Sequence, residues 1–257
     1  MIKIPRIGIP AWKVGDNSLG ITTLYYDFIE EFGSVVIINP VEQRIDETLD
    51  LIVLPGGPDV NPERYGQIPK IHTSKQDPLR EYFDTQILPE YIKRKVAIFG
   101  ICRGFQSLAV MFDCHLEQHM YHETSPAHDR SKLVHKLDII NDLIAEIVTF
   151  NGNLRQEKTT YYNAYGNHTI SLPNDKKGFE VNSLHHQAVF MTSGQVEEDV
   201  FLRPLALYES KDGLNAYKFI EAFIHKTLPI AGVQYHPEEL IDEPISKYLM
   251  YKLLYKL

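Results

Sequence analysis

The groups in this chain best suited to covalent chemistry are one cysteine and one histidine–glutamate pair, each just past a short apolar run. The segment Val96-Ala97-Ile98-Phe99-Gly100-Ile101-Cys102-Arg103-Gly104-Phe105-Gln106-Ser107-Leu108 reads as a buried strand, a turn and a helix. Gly-x-Cys-x-Gly in that setting is the pattern of a nucleophile elbow. Glycines two residues either side relieve the crowding of a tight strand-to-helix turn. Phe105, Leu108, Ala109 and Phe112 then recur at helical spacing. A cysteine placed there meets the exposed N–H groups of a helix N-terminus, which favour thiolate over thiol. A small buried cysteine packed between glycines would use the same residues. The strand before and the helix after are what turn the reading toward a nucleophile. Cys114, beside Asp113 past the helix, lacks this setting and reads as a structural thiol.

A thiolate nucleophile needs a base, and the base needs an orienter. Among 11 histidines, His236 stands out, because residues 229–235 read as a strand and His236-Pro237-Glu238 follows it. Pro237 biases His236 toward extended backbone. Residues two apart on an extended chain share a side, so Glu238 can reach the imidazole and fix its tautomer. Functional groups of a parallel sheet gather at the carboxyl ends of its strands, where Cys102 and His236 both lie. A third such end is Leu54-Pro55-Gly56-Gly57-Pro58-Asp59. It is good turn chemistry in its own right. Its paired glycines also allow outward-facing N–H groups, so Gly57 and Arg103 could together form an oxyanion hole.

A parallel sheet must hold these ends. Residues 4–9, 35–39 and 51–54 are short Ile/Val-rich runs ending at Pro or Gly, as buried parallel strands do. Residues 19–32 carry Leu24, Phe28, Ile29 and Phe32 at helical spacing, with Ser18 as N-cap and Gly33 as stop. A second helix fits residues 79–93, bent at Pro89, before a strand at 96–99. The alternation predicts an α/β fold with a parallel sheet. Further strands are expected within 132–140, 200–208, 216–223 and 229–234, and a closing amphipathic helix over 245–257. Residues 151–177 are polar and broken, and read as long loops. No composition shift marks a boundary, so one domain over 1–257 with an elaborated loop region around 151–177 is expected.

The 257 residues are 44% hydrophobic and 23% charged, a globular composition with a sizeable core. The net charge is −8, with no Lys/Arg cluster to neutralise phosphates, which argues against nucleic acid as main ligand. No apolar run approaches the roughly 18 residues of a membrane span. The first residues lack the apolar core of a signal peptide, and there are two cysteines. A disulfide framework is therefore not expected, and a reducing cytoplasmic setting is.

The three strand ends, in this order, resemble the class I glutamine amidotransferase superfamily. Within it the chain is most similar to the γ-glutamyl-γ-aminobutyrate hydrolase family. Residues 54–62 with Tyr65-Gly66, then Asp77-Pro78-Leu79-Arg80, carry this resemblance. So do Gly100 to Gln106, Val181-Asn182-Ser183-Leu184-His185-His186-Gln187, and Gly232 to Glu238. The Arg directly after the Cys and the Asn-Ser-x-His-His-Gln segment point to the hydrolase family. The resemblance implies a flavodoxin-like three-layer sandwich with a mostly parallel central sheet. It implies Cys102 as nucleophile, His236 as base and Glu238 as orienter, with the oxyanion hole at Gly57 and Arg103. Gln106 and His185 would hold the glutamyl part of the substrate. The implied activity is hydrolysis of γ-glutamyl amides through a γ-glutamyl thioester on Cys102, releasing glutamate and an amine. No cofactor or metal is implied, and the partner is a small γ-glutamyl molecule; self-association is left open.

The chain also departs from the family. Asp113-Cys114 replaces a usual Gly-Gly, residues 151–177 are longer than the usual connection, and Asp212-Gly213 is separated from Glu221-Ala222 by an insertion. The amine half of the substrate is expected to be read by such loops. Three other readings compete. One is a glutaminase subunit that hands ammonia to a separate synthetase chain. Another is a metal module on His115, His119 and His122, spaced four and three apart; no cysteine joins them at zinc-finger spacing. The last is a non-catalytic interaction protein using the Tyr161-Tyr162-Asn163-Ala164-Tyr165 cluster, against which an intact triad argues.

Overall fold

Strand β1 (Arg6–Pro10) is buried on both faces from its second residue onward, which requires a cover of helices on each side. The structure, a computed structural model, describes residues 3–42, 44–120, 134–139, 180–190, 201–212, 215–240 and 243–256. After β1 comes a small hairpin, β2 (Trp12–Gly15) and β3 (Ser18–Gly20). Helix α1 runs only over Thr23–Glu30, with Thr22 at its N-cap. This corrects the expected helix over 19–32. Asp16-Asn17 makes the turn of the hairpin, and the β-branched Ile21-Thr22-Thr23 delay the helix by one turn. Eight residues are too few for a helix to persist alone; α1 is held by burying Tyr25, Phe28 and Ile29.

Strands β4 (Ser34–Ile38) and β5 (Leu51–Leu54) flank β1, both parallel to it. The expected second helix is instead three pieces. They are α2 (Pro78–Tyr82), a π-helical turn (Phe83–Ile87) and α3 (Leu88–Lys93). Asp77 caps α2 by accepting from the Leu79 N–H at 2.9 Å. In the π turn the Leu88 N–H reaches back to the Phe83 carbonyl. Pro89, which has no N–H to continue an α ladder, lies immediately after it. Strand β6 (Ala97–Ile101) then pairs with β5 and delivers α4 (Arg103–Met111).

The later half forms an antiparallel wing. Its strands are β7 (Leu116–Glu117), β8 (Val134–Ile139), β9 (Glu180–Asn182), β10 (Ala188–Phe190), β11 (Leu202–Asp212) and β12 (Asn215–His225). The expected insertion near Asp212 belongs to β11 and β12, which pair from Leu202↔His225 to Asp212↔Asn215. Strand β13 (Ile230–Val233) returns to the centre, parallel to β6 and antiparallel to β12. Helix α5 (Pro244–Tyr255) closes the chain, its first N–H groups capped by the Glu243 carboxylate. The sheet order β4-β1-β5-β6-β13-β12-β11-β8-β9 thus opens with five mutually parallel strands, from the β4 edge to β13, and continues into the antiparallel wing.

Alternate residues of β5 sort the core into two layers. Leu51 and Val53 pack with Phe28, Ile29, Tyr248 and Leu249 on the α1/α5 side. Ile52 and Leu54 pack with Phe83, Leu88, Phe105 and Leu108 on the α2–α4 side. The result is the α/β fold with parallel strands that the strand–helix alternation predicts, in the three-layer arrangement that the family resemblance implies. No helix among the described residues is long and apolar enough to cross a membrane. Residues 151–177, with the tyrosine cluster, and His122 lie outside the described residues.

Candidate active site

Strands β5, β6 and β13 lie side by side, so the chain segments leaving their carboxyl ends converge. Register pairs Ile101 with Val233, and the Cys102 N–H continues the ladder to the Val233 carbonyl at 3.0 Å. The chain then turns at Cys102, whose φ of 51° and ψ of −107° are unfavourable for a residue with a side chain. The elbow tolerates no bulk at Gly104. A Cβ there would sit 2.2 Å from the Leu54 carbonyl oxygen, so α4 can approach β5 only with glycine. Cys102 is 7% exposed and heads α4.

His236 follows β13 with φ −105° and ψ 88°, and Pro237–Glu239 then form a 3-10 turn. That turn, rather than a fully extended dipeptide, brings the Glu238 Oε1 to 2.6 Å from His236 Nδ1. The Cys102 sulfur also acts on this ring electrostatically. Burial opposes a charge on this ring, but the Cys102 sulfur and the Glu238 carboxylate outweigh it and push the pKa up to about 11. The structure therefore gathers Cys102, His236 and Glu238 into one chain of polar contacts.

Two residues that sequence reading gave no individual role hold this chain in place. Asn182, at the end of β9, takes the His236 N–H on its Oδ1 at 2.8 Å and returns its Nδ2 to the His236 carbonyl at 3.1 Å. Its only sequence signal is its place in the Asn-Ser-x-His-His-Gln segment. Tyr25 of α1 is the other. Its hydroxyl accepts the Gly56 N–H at 2.8 Å, and it interacts electrostatically with Glu238.

The glycine turn after β5 lies against the imidazole. A Cβ on Gly56 would fall 2.8 Å from His236 Cε1, and one on Gly57 3.3 Å from Arg103 Cδ. Gly57 has a φ of 156°, which side-chain-bearing residues rarely adopt. Among the described residues neither the Gly57 N–H nor the Arg103 N–H has a protein acceptor. The two expected oxyanion donors are thus neighbours with unspent hydrogens.

The Arg103 side chain points away from the site and anchors the elbow. Its guanidinium bonds Asp84 and reaches Glu81 Oε1 at 2.6 Å. Ser107 donates to Asp84 Oδ2 at 2.7 Å, and Arg64 donates to Ser107 Oγ at 3.0 Å. The π turn carries Asp84 to this position, where it is fully buried. Burial works against its charge, but Arg103, Arg80 and Arg64 hold its carboxyl below the usual carboxylate range. Asp84→Ala would leave the buried Arg103 with Glu81 as its one remaining carboxylate partner, so a loss of about 3 kcal/mol is expected in chemical denaturation. The sign of the pH dependence follows from the depressed folded value. The advantage of wild type over Asp84→Asn is complete above about pH 3.9, the free aspartate value. It disappears as pH falls through the lower folded value. A difference that stays constant from pH 7 to pH 2.5 would refute this account.

Gln106 and His185 also meet, but inside the protein. Gln106 Nε2 donates to the Gln187 carbonyl at 2.8 Å and to Gln234 Oε1 at 3.1 Å. His185 Nδ1 lies 2.8 Å from the same carbonyl, with Nε2 3.5 Å from Glu221. His186 Nε2 lies 3.2 Å from Asp59, tying this segment to the glycine turn. Cys114 is buried, and burial raises its thiol to about 11, as suits a structural residue. His115 and His119 flank β7 rather than share a helix face, and His119 stacks on His72 at 4.0 Å. A cavity of about 710 Å³ beside β4, lined by Arg6, Ile38, Asp46 and Tyr91, includes none of the candidate residues.

Residues 10–238 match the family described as Peptidase C26. The chain belongs to the peptidase C26 family. It is similar to the glutamine amidotransferase-like protein YvdE of Lactococcus lactis, with 29% identity over 83% of this chain and 78% of the relative. It is also similar to the γ-glutamyl-γ-aminobutyrate hydrolase PuuD of Escherichia coli, with 28% identity over 74% of this chain and 64% of the relative. Two solved structures share the fold of this peptidase C26 member. One is the Trypanosoma brucei CTPS glutaminase domain with bound acivicin, at TM-score 0.57 and 12% identity, covering 98% of this chain and 94% of that one. The other is a glutamine amidotransferase of Thermotoga maritima, at TM-score 0.52 and 16% identity, covering 92% and 77%.

Proposed function

We propose that this chain is a cysteine-dependent hydrolase of γ-glutamyl amide bonds. The observation that carries the reading is the Cys102–His236–Glu238 chain of contacts beside two unspent backbone N–H groups. The thiolate attacks the γ-carbonyl carbon, forming a C–S bond and placing negative charge on the carbonyl oxygen. The Gly57 and Arg103 N–H groups donate hydrogen bonds to that oxygen and stabilise its charge. The His236 imidazolium gives its proton to the leaving nitrogen, and the C–N bond breaks. A γ-glutamyl thioester remains on Cys102. Neutral His236 then takes a proton from water, whose oxygen attacks the thioester, and glutamate leaves with the thiolate restored. Glu238 orients the ring and stabilises its charged form throughout. Gln106 and His185, joined at the Gln187 carbonyl, serve this site as the floor beneath the glutamyl group rather than as its direct contacts.

A second reading, ammonia supply to a synthetase chain, is favoured by the amidotransferase descriptions of the YvdE protein and of the Thermotoga structure. The test is incubation of the pure chain with a panel of γ-glutamyl amides, including glutamine, and measurement of glutamate release. Release from several amides without any added protein is expected. Release from none, or from glutamine only, would move the assignment to the second reading.

A further inference from the structure

Gly56 is the one residue of the glycine turn whose two backbone polar groups are both taken by side chains from distant parts of the chain. Its N–H donates to the Tyr25 hydroxyl at 2.8 Å. Its carbonyl accepts from Arg80 Nη1 at 2.9 Å, while Arg80 Nη2 takes the Pro55 carbonyl at 2.8 Å. Both side chains are buried, Arg80 at 1% exposure and Tyr25 at 6%. Neither is accounted for by the chemistry above.

The consequence follows from amide geometry. All peptide bonds among the described residues are trans. In a planar trans peptide the N–H of one residue points opposite to the C=O of the residue before it. Arg80 fixes the Gly56 C=O, so it also fixes the direction of the Gly57 N–H. Tyr25 fixes the other end of Gly56, so the peptide plane cannot rotate about either side without breaking a buried hydrogen bond. Glycine is the residue type most free to rotate there, and two in succession would otherwise let the plane flip. The same Tyr25 side chain interacts electrostatically with Glu238, the orienter of the imidazole.

We infer that Tyr25 and Arg80 are positioning residues that lock the Gly56–Gly57 peptide with its N–H toward the oxyanion, giving the isolated chain a preformed hole. This rests on the hydrolase reading of the same site. It adds to that reading a regulatory statement: the hole needs no partner chain to assemble it. Burial and Glu238 raise the Tyr25 phenol, so it stays protonated. Arg80 is depressed to about 10 by burial and by Arg103, and so still carries its charge at neutral pH.

The test compares wild type, Tyr25→Phe and Arg80→Lys in steady-state kinetics, with melting temperature recorded for each. Two further readouts separate the hole from the nucleophile. Alkylation of Cys102 by iodoacetamide makes no oxyanion. Binding of a γ-glutamyl aldehyde does, because the thiol adds to its carbonyl and the new oxygen occupies the hole. Removing one oxyanion donor costs about 10²–10³ in kcat, and a mobile donor should cost part of that. Tyr25→Phe is expected to lower kcat at least tenfold, with KM within about twofold. Aldehyde affinity should fall in proportion, and the alkylation rate should stay near wild type. Arg80→Lys, which can reach only one of the two carbonyls, should do the same. If Arg80→Lys does not fold, Tyr25→Phe decides alone. Unchanged kcat in Tyr25→Phe overturns the inference, as does a kcat loss matched by equal loss of alkylation. A wild-type chain that is alkylated at Cys102 yet releases glutamate from no γ-glutamyl compound, glutamine included, overturns it too. A wild-type chain active on glutamine alone fails the hydrolase reading but leaves the clamp to be judged by the same variants.

Discussion

Cys102→Ala is expected to lower kcat for γ-glutamyl amide hydrolysis by roughly 10⁵–10⁶-fold, because no neighbouring group can replace the sulfur as the thioester-forming atom. The fold should survive. The Cys102 side chain is small, and its backbone is fixed by the β6–β13 ladder and by the Gln106 N–H on its carbonyl at 3.0 Å. Melting within a few degrees of wild type, together with loss of activity and of alkylation, is the expected pair of results. Full activity in the folded variant would sink the whole mechanism. Cys102→Ser tests the same point with a hydroxyl. A serine oxygen at this elbow lacks the acidity of a thiol, so a loss nearly as large is expected.

His236→Ala and Glu238→Gln should differ by more than tenfold in kcat/KM, with the histidine variant the worse. In the proposed mechanism His236 carries the proton in both half-reactions, whereas Glu238 acts only through it. Losses of roughly 10⁵-fold for His236→Ala and 10²–10⁴-fold for Glu238→Gln are expected. A glutamine at 238 can still accept from Nδ1, so the tautomer survives, but the countercharge that helps hold the imidazolium is lost. Alkylation of Cys102 at neutral pH should slow in His236→Ala as its charged partner disappears. The reverse order of the two variants would mean that another base or carboxylate moves the proton.

What could be read in the sequence was what is local. The elbow is legible because glycine at 100 and 104 and cysteine at 102 answer to one tight turn. His236 and Glu238 are legible because they meet across two residues. The parallel strands are legible because Leu51–Leu54 and its neighbours are apolar on both faces. The hairpin before α1 was hidden by Leu19, Leu24 and Phe28, whose spacing also suits a helix. The π turn has no sequence mark except Pro89. Tyr25, Arg80, Asp84 and Asn182 were not legible as site residues. Each acts through a partner far along the chain, 31 positions for Tyr25 to Gly56 and 54 for Asn182 to His236. Only the folded sheet brings them together. Asp77-Pro78-Leu79-Arg80 was visible as a motif, but nothing in its spacing says that Arg80 turns back onto Pro55 and Gly56.

The place of β13 bears on how the protein is made. β6 has β5 on one side and β13 on the other, and β13 comes about half the chain's length later. At ribosomal speeds of about 5–20 residues per second, β6 waits on the order of ten seconds with one edge bare. That edge is apolar on both faces and offers unpaired N–H and C=O groups to any passing strand. Nascent chains halted between residues 110 and 225 should therefore be the aggregation-prone species, and the ones a holdase chaperone captures. Under the proposed mechanism Cys102 is synthesised well before His236, so a fragment of that length should be inactive. On the proposed mechanism, activity and relief from the exposed edge arrive together, when Ile230–Val233 slides in beside β6.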